Sequence, residues 1–157
     1  AVLLKRRLFD SMQNLDGKTF IDLCAGSGSM GFEALSRGAK NVIFVEKGRL
    51  QVQCIKNNCN NLKLEVGEFK VFQSDSIEWL KRNQGSIGEE TIIFFDPPYL
   101  EEKLYREFIK LILSFKCFLV ILELSSKTTF HNSLIENLTD RITKTFSQGE
   151  KNFICIN

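Results

Sequence analysis

Phe20-Ile21-Asp22-Leu23-Cys24-Ala25-Gly26-Ser27-Gly28-Ser29-Met30-Gly31, residues 20–31, runs from an apolar stretch through a glycine loop into a segment of helical spacing. Glycines allow a tight turn and a close backbone approach to a ligand, and the helix start offers free N–H groups. Outward from this stretch, apolar β-rich runs alternate with helical periodicity. Strands are expected at Thr19–Cys24, Asn41–Glu46, Phe69–Gln73, Thr91–Asp96 and Phe118–Leu124. Helices are expected near Lys5–Met12, Met30–Arg37, Arg49–Asn61, Ser76–Asn83 and Glu101–Leu113. Nearly continuous apolar runs such as Ile92-Ile93-Phe94-Phe95 suit strands covered on both faces, and so a parallel sheet. The alternation predicts a doubly wound α/β domain.

The tail keeps a different rhythm. Leu134–Leu138 reads as a short helix, Arg141–Phe146 as a strand, Ser147-Gln148-Gly149-Glu150 as a turn and Asn152–Ile156 as a strand. Strands joined by a tight turn run antiparallel, so the sheet is expected to end in a hairpin. Gln84–Glu90 is a polar loop, and there is no internal repeat.

The glycine loop alone is ambiguous. Gly26, Gly28 and Gly31 satisfy G-x-G-x-x-G, and Glu46 follows at dinucleotide spacing, which admits a nicotinamide oxidoreductase as readily as a methyltransferase. Asp22 separates the two. A carboxylate at the strand end is unfavourable beside a pyrophosphate. It suits S-adenosylmethionine, which has no phosphate and carries a sulfonium and an ammonium. Glu46 is placed to accept from ribose hydroxyls, and Asp75 from an adenine amine. The plain alternatives are a solvated strand-end acid and a helix N-cap. The expected cofactor set is Asp22, Ala25, Gly26, Ser27, Gly28, Glu46, Asp75, Ser76 and Asp96.

Asp96-Pro97-Pro98-Tyr99 closes the most apolar strand and contains both prolines of the chain. Proline fixes φ and donates no hydrogen bond, so the pair makes a rigid exit from the sheet with carbonyls free to accept. An exocyclic base amine is a poor nucleophile because its lone pair is delocalised. Asp96 and the Pro97 carbonyl could accept both of its protons and turn the lone pair toward a methyl donor, so catalysis is chiefly alignment. Tyr99 offers a ring on which an extruded base can stack. The structural alternative is a Pro-Pro turn with Tyr99 as an ordinary core aromatic.

With both motifs in view, the chain resembles a class I methyltransferase of the amino-methylating group. More closely, it is similar to the bacterial family that methylates a guanine N2 in small-subunit (16S) ribosomal RNA. The matching stretches are residues 20–39, continuing through Glu33-Ala34-Leu35-Ser36-Arg37-Gly38-Ala39, then Val45-Glu46, Asp96 to Tyr99 and Gln148-Gly149-Glu150. The resemblance implies sheet order 3-2-1-4-5-7-6 with strand seven antiparallel. It also implies a guanine amine held by Asp96, Pro97, Pro98 and Tyr99, S-adenosylmethionine as cofactor, and ribosomal RNA or the small subunit as partner. Two departures stand out. The family's glycine- and arginine-rich β-hairpin does not precede Ala1 in this sequence. Leu3 and Arg6 stand where the family's arginine and glutamate are expected. Adenine-N6 methylation of DNA or RNA is the alternative within the same chemistry. Protein glutamine methylation fits less well, since such enzymes carry Asn before the prolines. A nicotinamide oxidoreductase and a non-catalytic RNA-binding module are the readings from other classes.

Composition sets bounds. The 157 residues suit one domain over 1–157, and 43% apolar with 25% charged residues excludes a disordered or membrane chain. No apolar run reaches the roughly 20 residues of a spanning helix, and the first residues lack a signal peptide's order of charge and apolar core. A cytoplasmic monomer is expected. Net charge +2 neither demands nor excludes a polyanion. Five cysteines without a C-x-x-C pair and one histidine predict reduced thiols and no metal site. Lys5, Arg6, Arg7, Lys103 and Arg106 are candidates for RNA phosphate contact, the alternative being a solvated helical face. His131 is expected at the surface and Trp79 in the core.

Overall fold

The computed structural model describes residues 2–157. Its strands are β1 (Thr19–Leu23), β2 (Asn41–Glu46), β3 (Phe69–Gln73), β4 (Thr91–Phe95), β5 (Leu119–Ser125), β6 (Ile142–Gln148) and β7 (Lys151–Ile156). The helices are α1 (Val2–Ser11), α2 (Ser29–Ser36), α3 (Arg49–Asn61), α4 (Ser76–Asn83), α5 (Glu102–Ile112) and α6 (His131–Glu136). One sheet forms in the order β3-β2-β1-β4-β5-β7-β6. Strands β1 to β5 pair in parallel, and β7 runs antiparallel to both β5 and β6. This is the expected order and the expected closing hairpin.

The two-residue period of the strands sorts their side chains into two layers. Phe20, Val42, Phe44, Phe94, Ile121 and Phe153 meet α1, α2 and α3. Ile21, Leu23, Ile93, Phe95, Leu122 and Leu124 meet α4, α5 and α6. Every residue of β4 is buried, as the unbroken apolar run requires. Phe95 stacks on Phe108 of α5 with ring centroids 3.9 Å apart. Burying a Phe side chain contributes about 1.5–3 kcal/mol, so these paired layers anchor the rim above them.

Boundaries differ from expectation where a local signal is weak. β1 stops at Leu23 because Cys24 adopts a left-handed φ of 58°. Phe118 and Asp96 lie just outside β5 and β4. α1 reaches back to Val2, and α6 starts at His131 rather than Leu134. α6 has no side-chain cap to mark its start: Phe130 holds the N-cap position. The hairpin turn narrows to Gly149 and Glu150, with Gly149 at φ 60°. Among the described residues, all five cysteines are free, no cluster could hold a metal ion, and no helix is long and apolar enough to cross a membrane.

Candidate active site

The parallel strands deliver their last residues to one rim, where a cavity of about 640 Å³ opens. Cys24 and Gly26 after β1, Glu46 at the end of β2 with Lys47 and Gly48, and Ser74 to Ser76 after β3 line it. Asp96 to Tyr99 after β4, with Glu101 just before α5 and Leu104 within it, line it as well. Both motifs therefore share a single cleft.

Glu46 orders the glycine loop. Its Oε2 accepts from Gly26 N and its Oε1 from Gly48 N, each at 2.7 Å. A carboxylate has about four acceptor sites, so the bonds leave capacity toward the cleft. Asp75 caps α4, its Oδ1 accepting from Ile77 N at 2.9 Å and Glu78 N at 3.0 Å. It also lines the cavity, so the cap and the site are one residue in two roles. Ser76 is buried beside it.

Asp22 is placed differently from the expectation. It lies beneath the loop, 2% exposed, and its Oδ2 accepts from Gly31 N at 2.9 Å. Burial pushes its carboxyl up to about 8, against the lowering by the Gly31 bond, and the charges of Asp96 and Glu46 add to the rise. Asp22, Ala25, Ser27 and Gly28 do not line the cavity, whereas Gly26, Glu46, Asp75, Ser76 and Asp96 to Tyr99 do. Gly31 serves packing: a Cβ there would stand 2.3 Å from Phe44 Cε1 and 2.7 Å from Val42 Cγ1. Only glycine lets α2 sit this close to β2.

The Pro-Pro turn is tied at both ends. Pro98 O accepts from Glu101 N at 3.1 Å as the chain enters α5, so this carbonyl is not free as the sequence suggested. No backbone donor of the described residues reaches Pro97 O outside the regular elements. Tyr99 Oη donates to Glu123 Oε1 at 2.6 Å. Lys151 Nζ donates to the same oxygen at 2.7 Å and lies 5.5 Å from the Tyr99 ring centroid. Burial, then the negative charge of Glu123, pushes the Asp96 carboxyl above the usual range, with Lys151 opposing. Burial and the Glu123 bond likewise raise the Tyr99 phenol.

Glu123 and Lys151 escaped the sequence reading. One signal was present: an acid inside the apolar run Leu119-Val120-Ile121-Leu122-Glu123-Leu124, where a buried charge must be paired.

The five basic candidates lie outside the cavity wall. Lys5 pairs with Glu33 at 3.7 Å and Arg6 with Asp10 at 3.7 Å. Arg7 donates to Ser147 O at 3.2 Å. Arg106 pairs with Glu102 at 2.6 Å and Lys103 with Glu107 at 3.9 Å, along α5. Leu4 N donates to Gln148 Oε1 at 3.2 Å, and Gln148 pairs with Lys151. The start of α1 therefore sits at the rim, beside the Tyr99–Glu123–Lys151 group. His131 is partly exposed, and Trp79 is buried with Nε1 unpartnered among the described residues.

A family model described as "Conserved hypothetical protein 95" matches residues 3–155. The ribosomal RNA small subunit methyltransferase D of Haemophilus influenzae is 39% identical over 79 residues, 50% of this chain and 40% of that protein. YlbH of Bacillus subtilis, a candidate rRNA methyltransferase by name, is 42% identical over 93 residues, 57% of this chain and 48% of its own. The match thus spans about half or less of these relatives' length. Among solved structures, a candidate methylase from Haemophilus influenzae superposes with a TM-score of 0.79 at 26% identity, covering 97% of this chain and 86% of its own.

Proposed function

This chain belongs to the family described as conserved hypothetical protein 95, and from that premise we propose that it is an S-adenosylmethionine-dependent methyltransferase. Its acceptor in this reading is the exocyclic N2 amine of a guanine in small-subunit (16S) ribosomal RNA. The observation that carries the proposal is the single cleft joining Glu46 and Asp75 to Asp96-Pro97-Pro98-Tyr99. The named relatives, which act on ribosomal RNA by name, support the choice of polymer.

The donor set fits the cofactor. Glu46, Asp75, Asp96 and Glu101 line the cleft against one cation, Lys47, which suits a sulfonium and an ammonium and disfavours a pyrophosphate. Glu46 would hold the ribose hydroxyls, Asp75 and Ser76 the adenine side, and Gly26 the chain beside the loop. S-adenosylmethionine held there would supply an electrophilic methyl group for transfer to the amine nitrogen, leaving as S-adenosylhomocysteine.

The remaining work falls to this chain's own residues. Asp96 and the Pro97 carbonyl accept the two amine protons and aim the lone pair, an alignment that lowers the entropic part of the barrier. Tyr99 presents its ring to the base, and the proline pair keeps the clamp from yielding. The basic start of α1, at the rim, contacts phosphate and positions the RNA without reading its sequence. Residues 1–157 act as one class I domain, as a cytoplasmic monomer in this reading.

The test is methyl transfer from labelled S-adenosylmethionine to naked 16S rRNA, assembled small subunits, duplex DNA and a protein, followed by nucleoside analysis. N2-methylguanine is the expected product. N6-methyladenine would move the assignment to adenine, and tight NAD binding without binding of S-adenosylhomocysteine would overturn it.

A further inference from the structure

Glu123 is 4% exposed, the fifth of the seven residues of β5, flanked by Leu122 and Leu124. A carboxyl in such a place needs partners, and it has them from the turn after β4 and from β7. Tyr99 Oη reaches Oε1 at 2.6 Å, and Lys151 Nζ reaches the same oxygen at 2.7 Å. Accepting from a phenol and an ammonium at once, that oxygen behaves as a carboxylate oxygen. Asp96 is the third neighbour. It lies one step beyond the Phe95–Leu122 pair of β4 and β5, so the register sets it alongside Glu123, whose charge acts on it. Lys151 is brought in by β7, on the same face of the sheet, diagonal to Glu123 across the pairs Ser125–Lys151 and Glu123–Phe153. Below the strand, Tyr105 Oη donates to Glu123 O at 3.0 Å and pins its backbone.

We propose that Glu123 is a positioning residue for proton removal: clamped by Tyr99 and Lys151, it sets when the Asp96 carboxyl is free to take the proton of the methylated amine. The inference rests on the methyltransferase reading above. In the step, the N–H bond breaks, and its electron pair stays on nitrogen and cancels the positive charge gained with the methyl group. An O–H bond forms on Asp96, whose charge goes from minus one to zero. Asp96 is only partly buried at the cleft, so the proton then leaves to solvent.

Carboxyls set side by side resist double ionisation, while a neighbouring ammonium favours it. Glu123 therefore holds Asp96 toward its protonated form and Lys151 draws it back. Glu46, Lys47, Asp75 and Glu101 line the same cleft, and the Asp96 charge also acts on Asp22 from β1, Cys24 of the glycine loop and Tyr105 of α5. Burial holds each of the last three toward its neutral form, and Glu123 and Lys151 are the opposed charges that tune the site.

The test uses Glu123→Gln, which keeps the size and an acceptor oxygen, and Lys151→Met on a strand where the lysine side chain is 43% exposed. The Asp96 carboxyl is titrated by carbon-13 NMR in the protein alone, and the kcat–pH profile is measured with RNA. Glu123→Gln should lower the Asp96 midpoint and Lys151→Met should raise it, each by about one pH unit or more. The acidic limb of kcat should move in the same two directions, with KM for the methyl donor little changed. Midpoints equal in all three proteins, or moving the same way in both variants, would overturn the proposal. Opposite midpoints with no methyl transfer by the unaltered protein would instead reject the enzymatic reading and keep the coupling.

Discussion

Tyr99 Oη and Glu123 Oε1 are 2.6 Å apart, so the aromatic that ends the Asp-Pro-Pro-Tyr turn is moored to the neighbouring strand. The bond fixes the ring's angle, and the ring's remaining freedom is limited by Lys151 at 5.5 Å from its centroid. Stacking an extruded base on a fixed ring costs less ordering than stacking it on a mobile one. Tyr99→Phe keeps the ring and loses the mooring, and a several-fold fall in kcat/KM is expected. Tyr99→Ala loses the platform itself. Base–aromatic stacking is worth about 1–3 kcal/mol, so KM for RNA should rise by roughly 5- to 150-fold in steady-state assays.

Asp96 is expected to govern the pH dependence of transfer. Burial and Glu123 raise its pKa, so its protonated form persists above the ordinary carboxylate range. That form cannot take a further proton, and activity should fall as pH drops through the raised value. Asp96→Ala should abolish detectable transfer, a loss of about 100-fold or more for a proton acceptor. Binding of S-adenosylhomocysteine, measured by calorimetry, should persist. Loss of both together would assign Asp96 to folding or cofactor binding.

What was readable in the sequence, and what was not, follows from the range over which each signal acts. The glycine loop, the apolar runs and the Pro-Pro turn are local, so the α/β alternation, the closing hairpin and the shared rim could be read from them, whereas the strand order was implied by the family resemblance. The direction of a side chain at a strand end is not local. Asp22 shares the face of Phe20, turned toward α2, and only the fold shows it supporting Gly31 from below. Glu123 and Lys151 are separated by 28 positions and meet through antiparallel pairing. No spacing rule joins them, although an acid inside an apolar strand was the visible trace. The early start of α6 was hidden because Phe130 supplies no capping side chain.

Glu46 should be the residue on which donor affinity depends most. Its two oxygens hold the N–H groups of Gly26 and Gly48, and all three residues line the cavity. Removing a charged acceptor from two backbone donors costs about 1.5–3 kcal/mol per bond at most, and the loop loses its shape with it. Glu46→Ala should weaken S-adenosylhomocysteine binding by at least about tenfold, since 1.4 kcal/mol is a factor of ten. Glu46→Gln, which keeps one acceptor oxygen, should fall between. Equal affinities in the three proteins would remove Glu46 from the cofactor site.

Asp22 should show itself in stability rather than in affinity. Burial pushes its carboxyl up to about 8 in the folded chain against an ordinary value of 3.8. Between those two values the folded state keeps a proton that the unfolded state releases. Its contribution is therefore fully present below the lower value and is lost as pH rises through the higher one. Stability, read as the urea midpoint, should fall from pH 4 toward pH 8. Asp22→Asn retains an oxygen to accept from Gly31 N and cannot ionise, so its fall over the same window should be shallower. The difference between the two proteins should widen with pH, and parallel curves would count against the assignment. Because Asp22 lies off the cavity wall and burial holds its carboxyl toward the neutral form, the Asn variant should bind S-adenosylhomocysteine more tightly than Glu46→Ala does. The reverse order would mean that the acid beneath the loop reaches the donor after all.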